Sequence, residues 1–276
     1  MLKFNKSHGL GNDMIIIDCR DGVRFDLNAL ASRLCNRITG IGADNMLVLA
    51  DSDKADVRMR IFNSDGTEAQ MCGNGIRCFA KYVYDKHIVN KTELTVETLG
   101  GIMRPSIDVK DGVVKNVTVN MGTPRFERAD IPMLGEGDFL MQPLSVGSRT
   151  FFVSSMFMTI PHTVAFVDDV SQIDVARFGS LIERHRFYPE HTNVNFAQVV
   201  DRRNIIARPW ERGCGVTLAC GTGACACIVA CVLAGKTERE ANVHLQLGSL
   251  RIRYDESGSV FMTGPATSVF DGEIDI

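Results

Sequence analysis

The sequence predicts an α/β protein of the α+β type, built as two domains that each wrap a curved sheet on a helix. Three observations carry this. Strand-like runs interleave with two long helix-like segments in each half, the pattern of mixed rather than purely parallel architecture. The 276 residues exceed one typical domain of roughly 100 to 200 residues. A Cys-Gly-x-Gly element also occurs twice, as Met71-Cys72-Gly73-Asn74-Gly75 and Ala219-Cys220-Gly221-Thr222-Gly223.

β-branched and alternating runs predict strands over Met14–Asp18, Met46–Ala50, Val57–Phe62, Leu94–Glu97 and Val113–Asn120 in the first half. The second half predicts them over Phe151–Ser155, Val164–Val167, Val194–Val199, Ile205–Pro209, Val243–Leu247, Leu250–Tyr254 and Ser259–Met262. Helices are predicted over Leu27–Asn36, Asn74–His87, Asp174–His185 and Thr222–Ala234. The likeness of the halves extends upstream of the glycines: Asn63 precedes Cys72 by nine residues and Glu211 precedes Cys220 by nine, each at the end of a predicted strand, within two residues of its last position. An internal duplication explains this, with the halves related by a pseudo-two-fold axis and the two elements facing one another across a cleft. Turns at Met121-Gly122-Thr123-Pro124 and Met262-Thr263-Gly264-Pro265 mark the crossovers. The expected domains are 1–118, with a tail 264–276 returning to it, and 119–263.

Composition narrows the function. Hydrophobic residues at 45% and charged residues at 23% are those of a globular protein. A net charge of −3, no basic run, four Tyr and one Trp leave neither the electrostatic stripe nor the stacking platforms of a nucleic-acid binder, so no nucleic acid is expected. The longest apolar stretch, Gly223 to Gly235, falls short of the roughly 20 residues that cross a bilayer, so no membrane partner is expected and the stretch reads as a buried helix. Met1 to Leu10 lacks a signal-length apolar run, and nine cysteines without one point to free thiols in the reducing cytoplasm. Cys19 and Cys35 read as buried small hydrophobes, and Cys225, Cys227 and Cys231 as packing positions on a helix that approaches a sheet closely. The partner left is a small molecule.

A glycine after the cysteine and another two residues on suit a tight entry into a helix N-terminus. Backbone N–H groups there bind a carboxylate, and the same field is expected to lower the cysteine pKa. Two such elements supply two thiols and two carboxylate-binding turns. Inverting a Cα centre needs a base on one face and an acid on the other, and a thiolate with a thiol meets that need in both directions. The helix termini would stabilise the enolate-like charge, so no cofactor is required. Metal ligation is not expected: the cysteine spacings are not those of zinc knuckles and no His pair accompanies them. A thiol hydrolase using Cys72 or Cys220 with His162 would leave one matched cysteine idle.

With these motifs in view the chain resembles the diaminopimelate epimerase family almost end to end. His8-Gly9-Leu10-Gly11-Asn12-Asp13 is similar to the family's first motif. Phe62-Asn63-Ser64-Asp65-Gly66 through Gly75 is similar to its second, and Trp210-Glu211-Arg212-Gly213 through Gly223 to its third. The resemblance implies two pseudo-symmetric domains, each with a long central helix in a mostly antiparallel sheet, and a homodimer. It also implies epimerisation of LL-diaminopimelate to the meso form for lysine and peptidoglycan synthesis. By the same resemblance Cys72 and Cys220 are the catalytic acid–base pair, and His162 and Glu211 help set thiol protonation. Gly73, Asn74, Gly221 and Thr222 give backbone donors to the reacting carboxylate. Asn12 and Glu211 hold the reacting ammonium, and Asn63, Asn193 and Arg212 clasp the distal amino-acid group.

Asn45 falls among the substrate-binding positions, where a glutamine is usual. Met14 replaces a phenylalanine and Val216 a glutamate, and Thr159-Ile160 stands where Gly-Asn precedes Pro161-His162. Ile160 offers no hydrogen bond to a distal group, and burying one against it without a partner costs about 1–3 kcal/mol. Two alternatives therefore accompany the epimerase reading. One is a racemase of another amino acid using the same two cysteines; the other is a ligand-binding relative without thiol chemistry.

Overall fold

The structure is a computed structural model that describes residues 1–22 and 25–276. In chain order the first segment runs β1 (Leu2–Gly9), β2 (Asn12–Asp18), α1 (Leu27–Cys35), β3 (Asn45–Ala50), β4 (Val57–Asn63), β5 (Glu68–Ala69) and α2 (Gly73–Asp85). It continues through β6 (Val96–Thr98), β7 (Gly101–Met103), β8 (Ser106–Lys110) and β9 (Val113–Asn120). The second segment runs β10 (Phe139–Val146), β11 (Arg149–Met158), β12 (Ile160–Phe166), α3 (Val175–Glu183), β13 (Asn193–Asp201), β14 (Asn204–Glu211), β15 (Gly215–Val216) and α4 (Gly221–Leu233). It ends with β16 (Glu240–Leu245), β17 (Gly248–Tyr254) and β18 (Val260–Gly264), and β19 (Thr267–Ile274) closes the chain. Two compact units result, Met1–Asn120 with Thr263–Ile276, and Met121–Met262.

In the first unit the sheet order is β19-β1-β2-β3-β4-β6-β7, with β5 beside β4. The pairs β2/β3 and β4/β6 are parallel and the remaining pairs antiparallel. In the second unit the order β10-β11-β12-β13-β14-β16-β17-β18, with β15 beside β14, repeats this scheme. There β12/β13 and β14/β16 are the parallel pairs, and β11/β12, β13/β14, β14/β15 and β16/β17 are antiparallel. The correspondence runs element by element: β1 to β7 with α1 and α2 match β11 to β17 with α3 and α4. The duplicated motif is thus the visible part of a duplicated topology.

The first unit's sheet explains its own sequence. Ile15, Ile17, Met46, Val48 and Phe62 pack in one cluster with Leu27, Leu30, Ala31 and Leu34 of α1. Alternate positions Met14, Ile16, Leu47 and Leu49 are equally buried, and α2 packs against β1, β2, β3 and β9. A sheet covered on both faces needs apolar residues at every strand position, hence continuous rather than alternating runs. The second unit has its own cluster, with Phe151, Val153, Phe178, Ile182, Tyr188, Val194 and Phe196 at its centre. Its central helix α4 is buried from Ala224 to Cys231 without a break, and its small side chains permit close packing on all sides.

Capping residues divide the helices into two kinds. Outer helices α1 and α3 start at Asp26 and Asp174, whose carboxylates accept from the first-turn N–H groups in the usual way. Central helices α2 and α4 start at Cys72 and Cys220, whose sulfurs take that part.

Candidate functional site

Cys72 is half-buried with an extended backbone (φ −140°, ψ 116°), and Gly75 N–H donates to its Sγ at 3.3 Å. Cys220 is buried with nearly the same backbone (φ −123°, ψ 112°), and Gly223 N–H donates to its Sγ at the same distance, 3.3 Å. In both, the amide one residue further on closes the first helical bond to the cysteine carbonyl at 2.9 Å. The amides of Gly73 and Asn74, and of Gly221 and Thr222, therefore lie at helix mouths, where N–H groups lack intrahelical acceptors.

The second glycine of each motif serves a purpose other than the expected tight turn. Gly75 and Gly223 lie within helices. A Cβ on Gly75 would come 3.4 Å from Cys72 Sγ and 3.4 Å from Leu47 Cδ2, and one on Gly223 would meet Asn195 Oδ1 at 2.2 Å. What the motif needs is room for a bare amide to reach the sulfur.

Around Cys220 the polar neighbours form a directed chain. Asn195 Nδ2 lies 3.1 Å from His162 Nδ1, His162 Nε2 lies 3.0 Å from Thr222 Oγ1, and Thr222 Oγ1 lies 3.5 Å from Cys220 Sγ. With Asn195 donating to Nδ1, the ring proton sits on Nε2 and is donated to Thr222, whose hydroxyl proton is then directed to the sulfur. His162 is wholly buried, which, with the nearby Arg212 charge, holds its pKa down to about 3 and keeps it neutral. It thus reaches Cys220 through Thr222, and a direct thiol–imidazole pair of the hydrolase kind is not formed. Glu211, the last residue of β14, accepts from the Cys220 thiol. Burial first, and this carboxylate second, push the thiol pKa well above its usual range despite the donors Thr222 and Gly223. The expected lowering at the helix start is overturned at Cys220.

Near Cys72, Asn12 Oδ1 lies 3.8 Å from Sγ and accepts from Asn74 Nδ2 at 3.1 Å. Asn45 and Asn63 face each other across β3 and β4, Asn45 donating to Asn63 Oδ1 at 3.0 Å. In the second unit Asn193 pairs with His162 in register, donates to Pro161 O at 2.9 Å and accepts from Arg212 N at 2.9 Å. Arg212 Nη1 donates to Glu190 O at 2.8 Å. So within the first unit Asn12 and Asn74 gather by Cys72 while Asn45 and Asn63 pair where β3 begins and β4 ends, and within the second Glu211, Thr222 and His162 gather by Cys220 with Asn193 and Arg212 beside His162.

The topological correspondence also assigns counterparts. Asn45 and Asn193 each open the third strand of the scheme, and Asn63 and Glu211 each close the fourth. Asn12 opens β2 as Ile160 opens β12. Thr159 precedes Ile160 at φ +68°, a left-handed conformation that favours glycine. Three hydrogen-bonded neighbours of these residues escaped the sequence reading, namely Asp44, Arg77 and Asn195. Arg77 alone carried a signal, as a cation inside the otherwise small and apolar Ile76-Arg77-Cys78-Phe79-Ala80. Among the described residues no group of three or more His, Cys, Asp or Glu is placed to hold a metal, and no helix is long and apolar enough to cross a membrane.

The model of the family described as diaminopimelate epimerase matches residues 4–127 and 154–269. The diaminopimelate epimerase of Caldanaerobacter subterraneus subsp. tengcongensis is 47% identical over 276 residues, covering 100% of both chains. That of Pelotomaculum thermopropionicum is 48% identical over 275 residues, covering 99% of this chain and 98% of the relative. Among solved structures, a phenazine biosynthesis protein of the PhzF family from Bacillus anthracis has a TM-score of 0.73 at 15% identity, covering 100% of this chain and 99% of the other. A probable proline racemase from Agrobacterium radiobacter has a TM-score of 0.71 at 15% identity, covering 100% and 93%. These two likenesses concern the fold. With a family model spanning most of its length and close relatives spanning all of it, the chain belongs to the diaminopimelate epimerase family.

Proposed function

We propose that this protein is an isomerase that interconverts LL- and meso-diaminopimelate by proton transfer at Cα between Cys72 and Cys220, acting on opposite faces of that carbon. The observation that carries the reading is the matched pair of cysteine-capped central helices, each with a sulfur 3.3 Å from a first-turn amide. A thiolate removes the α proton, and the electron pair moves into the substrate carboxylate, whose growing charge the helix-mouth amides of Gly73, Asn74, Gly221 and Thr222 stabilise. The opposing thiol delivers a proton to the other face. Burial and Glu211 favour Cys220 as the thiol in the free protein. Asn12 and Glu211 hold the ammonium, while Asn45, Asn63, Asn193 and Arg212 surround the distal group. The two thiols supply the acid and the base, so the step calls on no cofactor.

The reading places the enzyme in the cytoplasm, where its nine free thiols stay reduced. It also has the chain acting as a homodimer, an assembly supported by the outer strand β19, whose Val269 and Phe270 are exposed. Sedimentation at working concentration checks the dimer, and a monomer-sized species throughout would overturn it. Ile160 favours one second reading, a racemase for an amino acid less polar at its far end. Deuterium incorporation at Cα in D2O, measured over diaminopimelate isomers and a panel of L-amino acids, separates the two. Exchange with diaminopimelate supports the first reading, and exchange confined to another amino acid replaces it.

A further inference from the structure

Four side chains of the first unit form a hydrogen-bond chain of fixed polarity. Arg77 Nη2 donates to Asn74 Oδ1 at 3.0 Å, Asn74 Nδ2 donates to Asn12 Oδ1 at 3.1 Å, and Asn12 Nδ2 donates to Asp44 Oδ2 at 2.7 Å. A carboxamide can ordinarily present either end to a neighbour. Here it has no choice, because a guanidinium only donates and a carboxylate only accepts. The two charged ends dictate both amides between them, and the atom that Asn12 presents to Cys72, 3.8 Å from Sγ, is fixed as an oxygen.

Both ends are themselves held. Arg77 is fully buried and also donates to Gly73 O at 3.2 Å and Pro265 O at 3.3 Å. Asp44 accepts from Arg37 Nη2 through Oδ1 at 2.8 Å and from Asp13 N through Oδ2 at 3.2 Å. Arg37 and Lys6 both pair with Asp13, at 2.8 Å and 2.6 Å, so the acidic end belongs to a four-residue ion network.

We propose that Arg77 and Asp44 are positioning residues that fix Asn12 as a hydrogen-bond acceptor beside Cys72, so that this half of the site selects substrates presenting an α-ammonium donor. The inference rests on the reading that Asn12 holds the reacting ammonium. It goes further in naming what sets that preference: the orientation of an amide dictated by two charges outside the reacting set.

The partly exposed, isosteric Asp44→Asn tests it, since Arg37 governs how the new amide turns. With Arg37 on Oδ1, the amide keeps its oxygen there and offers NH2 to Asn12, which must flip and bring Nδ2 to Cys72. In the double variant Arg37→Met/Asp44→Asn the amide is free to rotate its oxygen back to Asn12 and Asp13 N–H. Selective labelling of Asn side chains gives a readout independent of turnover. Nuclear Overhauser contacts between Asn12 amide protons and Cys72 Hβ should be weak in wild type, strong in Asp44→Asn and weak again in the double variant. KM for diaminopimelate should rise about 10- to 30-fold in Asp44→Asn with kcat changed less, the size of one lost charge-assisted bond. It should fall back in the double variant. A double variant worse than the single one, or Asn12 contacts that do not change, would overturn the lock. Wild-type protein that inverts no diaminopimelate would defeat the functional reading instead, while the amide contacts still judge the polarity.

Discussion

Thr222 Oγ1 stands 3.0 Å from His162 Nε2 and 3.5 Å from Cys220 Sγ, making one hydroxyl the bridge between a buried imidazole and the thiol at the start of α4. Replacing it by the isosteric valine keeps the helix start and removes only the bridge. Thr222→Val should lower kcat by about 10- to 100-fold, the range of a misdirected proton carrier, while KM changes little. Steady-state kinetics check this, and a KM effect with kcat intact would mean that Thr222 serves binding alone.

The same imidazole makes stability depend on pH. Its folded pKa of about 3 lies below the ordinary value near 6.5, so the unfolded chain binds the proton more readily between these limits. The contribution of a neutral His162 is therefore complete above about pH 6.5 and is lost as pH falls toward 3. Between pH 7 and pH 5 it should cost about 2 kcal/mol of unfolding free energy. Urea unfolding of wild type and His162→Gln at both pH values checks the sign: the variant should lose less stability on acidification, and equal losses would assign the pH dependence elsewhere.

The motif glycines should respond unequally to alanine. Gly223→Ala would force a Cβ to within 2.2 Å of Asn195 Oδ1, disturbing the residue that sets the His162 tautomer. A loss of about 1–3 kcal/mol together with most of the activity is expected. Gly75→Ala meets only contacts of 3.2–3.4 Å and gains helix propensity of up to about 1 kcal/mol, so its fold should survive while Cys72 is displaced. Thermal melts beside activity separate these outcomes.

How much of this was legible follows from how local each feature is. The four helices fell within two residues of their observed ends, because caps and apolar periodicity are written in neighbouring residues. Strand β1 was missed because its buried face carries Asn5 and Ser7, and β10 because Gln142-Pro143 and the left-handed Met141 interrupt its run. Strand β19 is mostly exposed and lacks an apolar signature, although a return of the chain end to the first half was expected. The cysteines and glycines of the site share two short motifs. Asp44 meets Asn12 across 32 residues and Asn195 meets His162 across 33, and only the strand registers bring them together. The depressed thiol expected at each helix start failed at Cys220 because local capping was considered without the burial that the fold imposes.

The two-thiol mechanism makes a prediction of its own. Cys72→Ala and Cys220→Ala should each remove epimerisation by at least about a thousandfold, since one face of Cα is then left without a proton carrier. Each fold should persist because losing a sulfur cap costs only about 0.5–2 kcal/mol at a helix start. Circular dichroism and the interconversion of LL- and meso-diaminopimelate check this together. A single variant with near-wild-type turnover would end the pairing.

The hairpin between β11 and β12 carries Thr159-Ile160. Thr159 holds φ +68°, which costs a β-branched residue about 1–3 kcal/mol that glycine avoids. Ile160 beside it is the topological counterpart of Asn12 and presents a half-buried aliphatic side chain where its counterpart presents an amide. If Asn63, Asn193 and Arg212 hold the distal group of diaminopimelate, Ile160→Asn restores one hydrogen bond and should raise kcat/KM by roughly tenfold. Were the pocket tuned to an apolar side chain, the same substitution would bury an unpaired amide against the natural substrate and weaken it. Asn193 and Arg212 are bonded to each other through Asn193 Oδ1 and the Arg212 amide, so the polar part of this region is already built. The first outcome is therefore the expected one. Steady-state kinetics of wild type and Ile160→Asn on LL-diaminopimelate decide between them, and a loss on substitution, or an inactive wild type, would move the assignment to a racemase of a less polar amino acid.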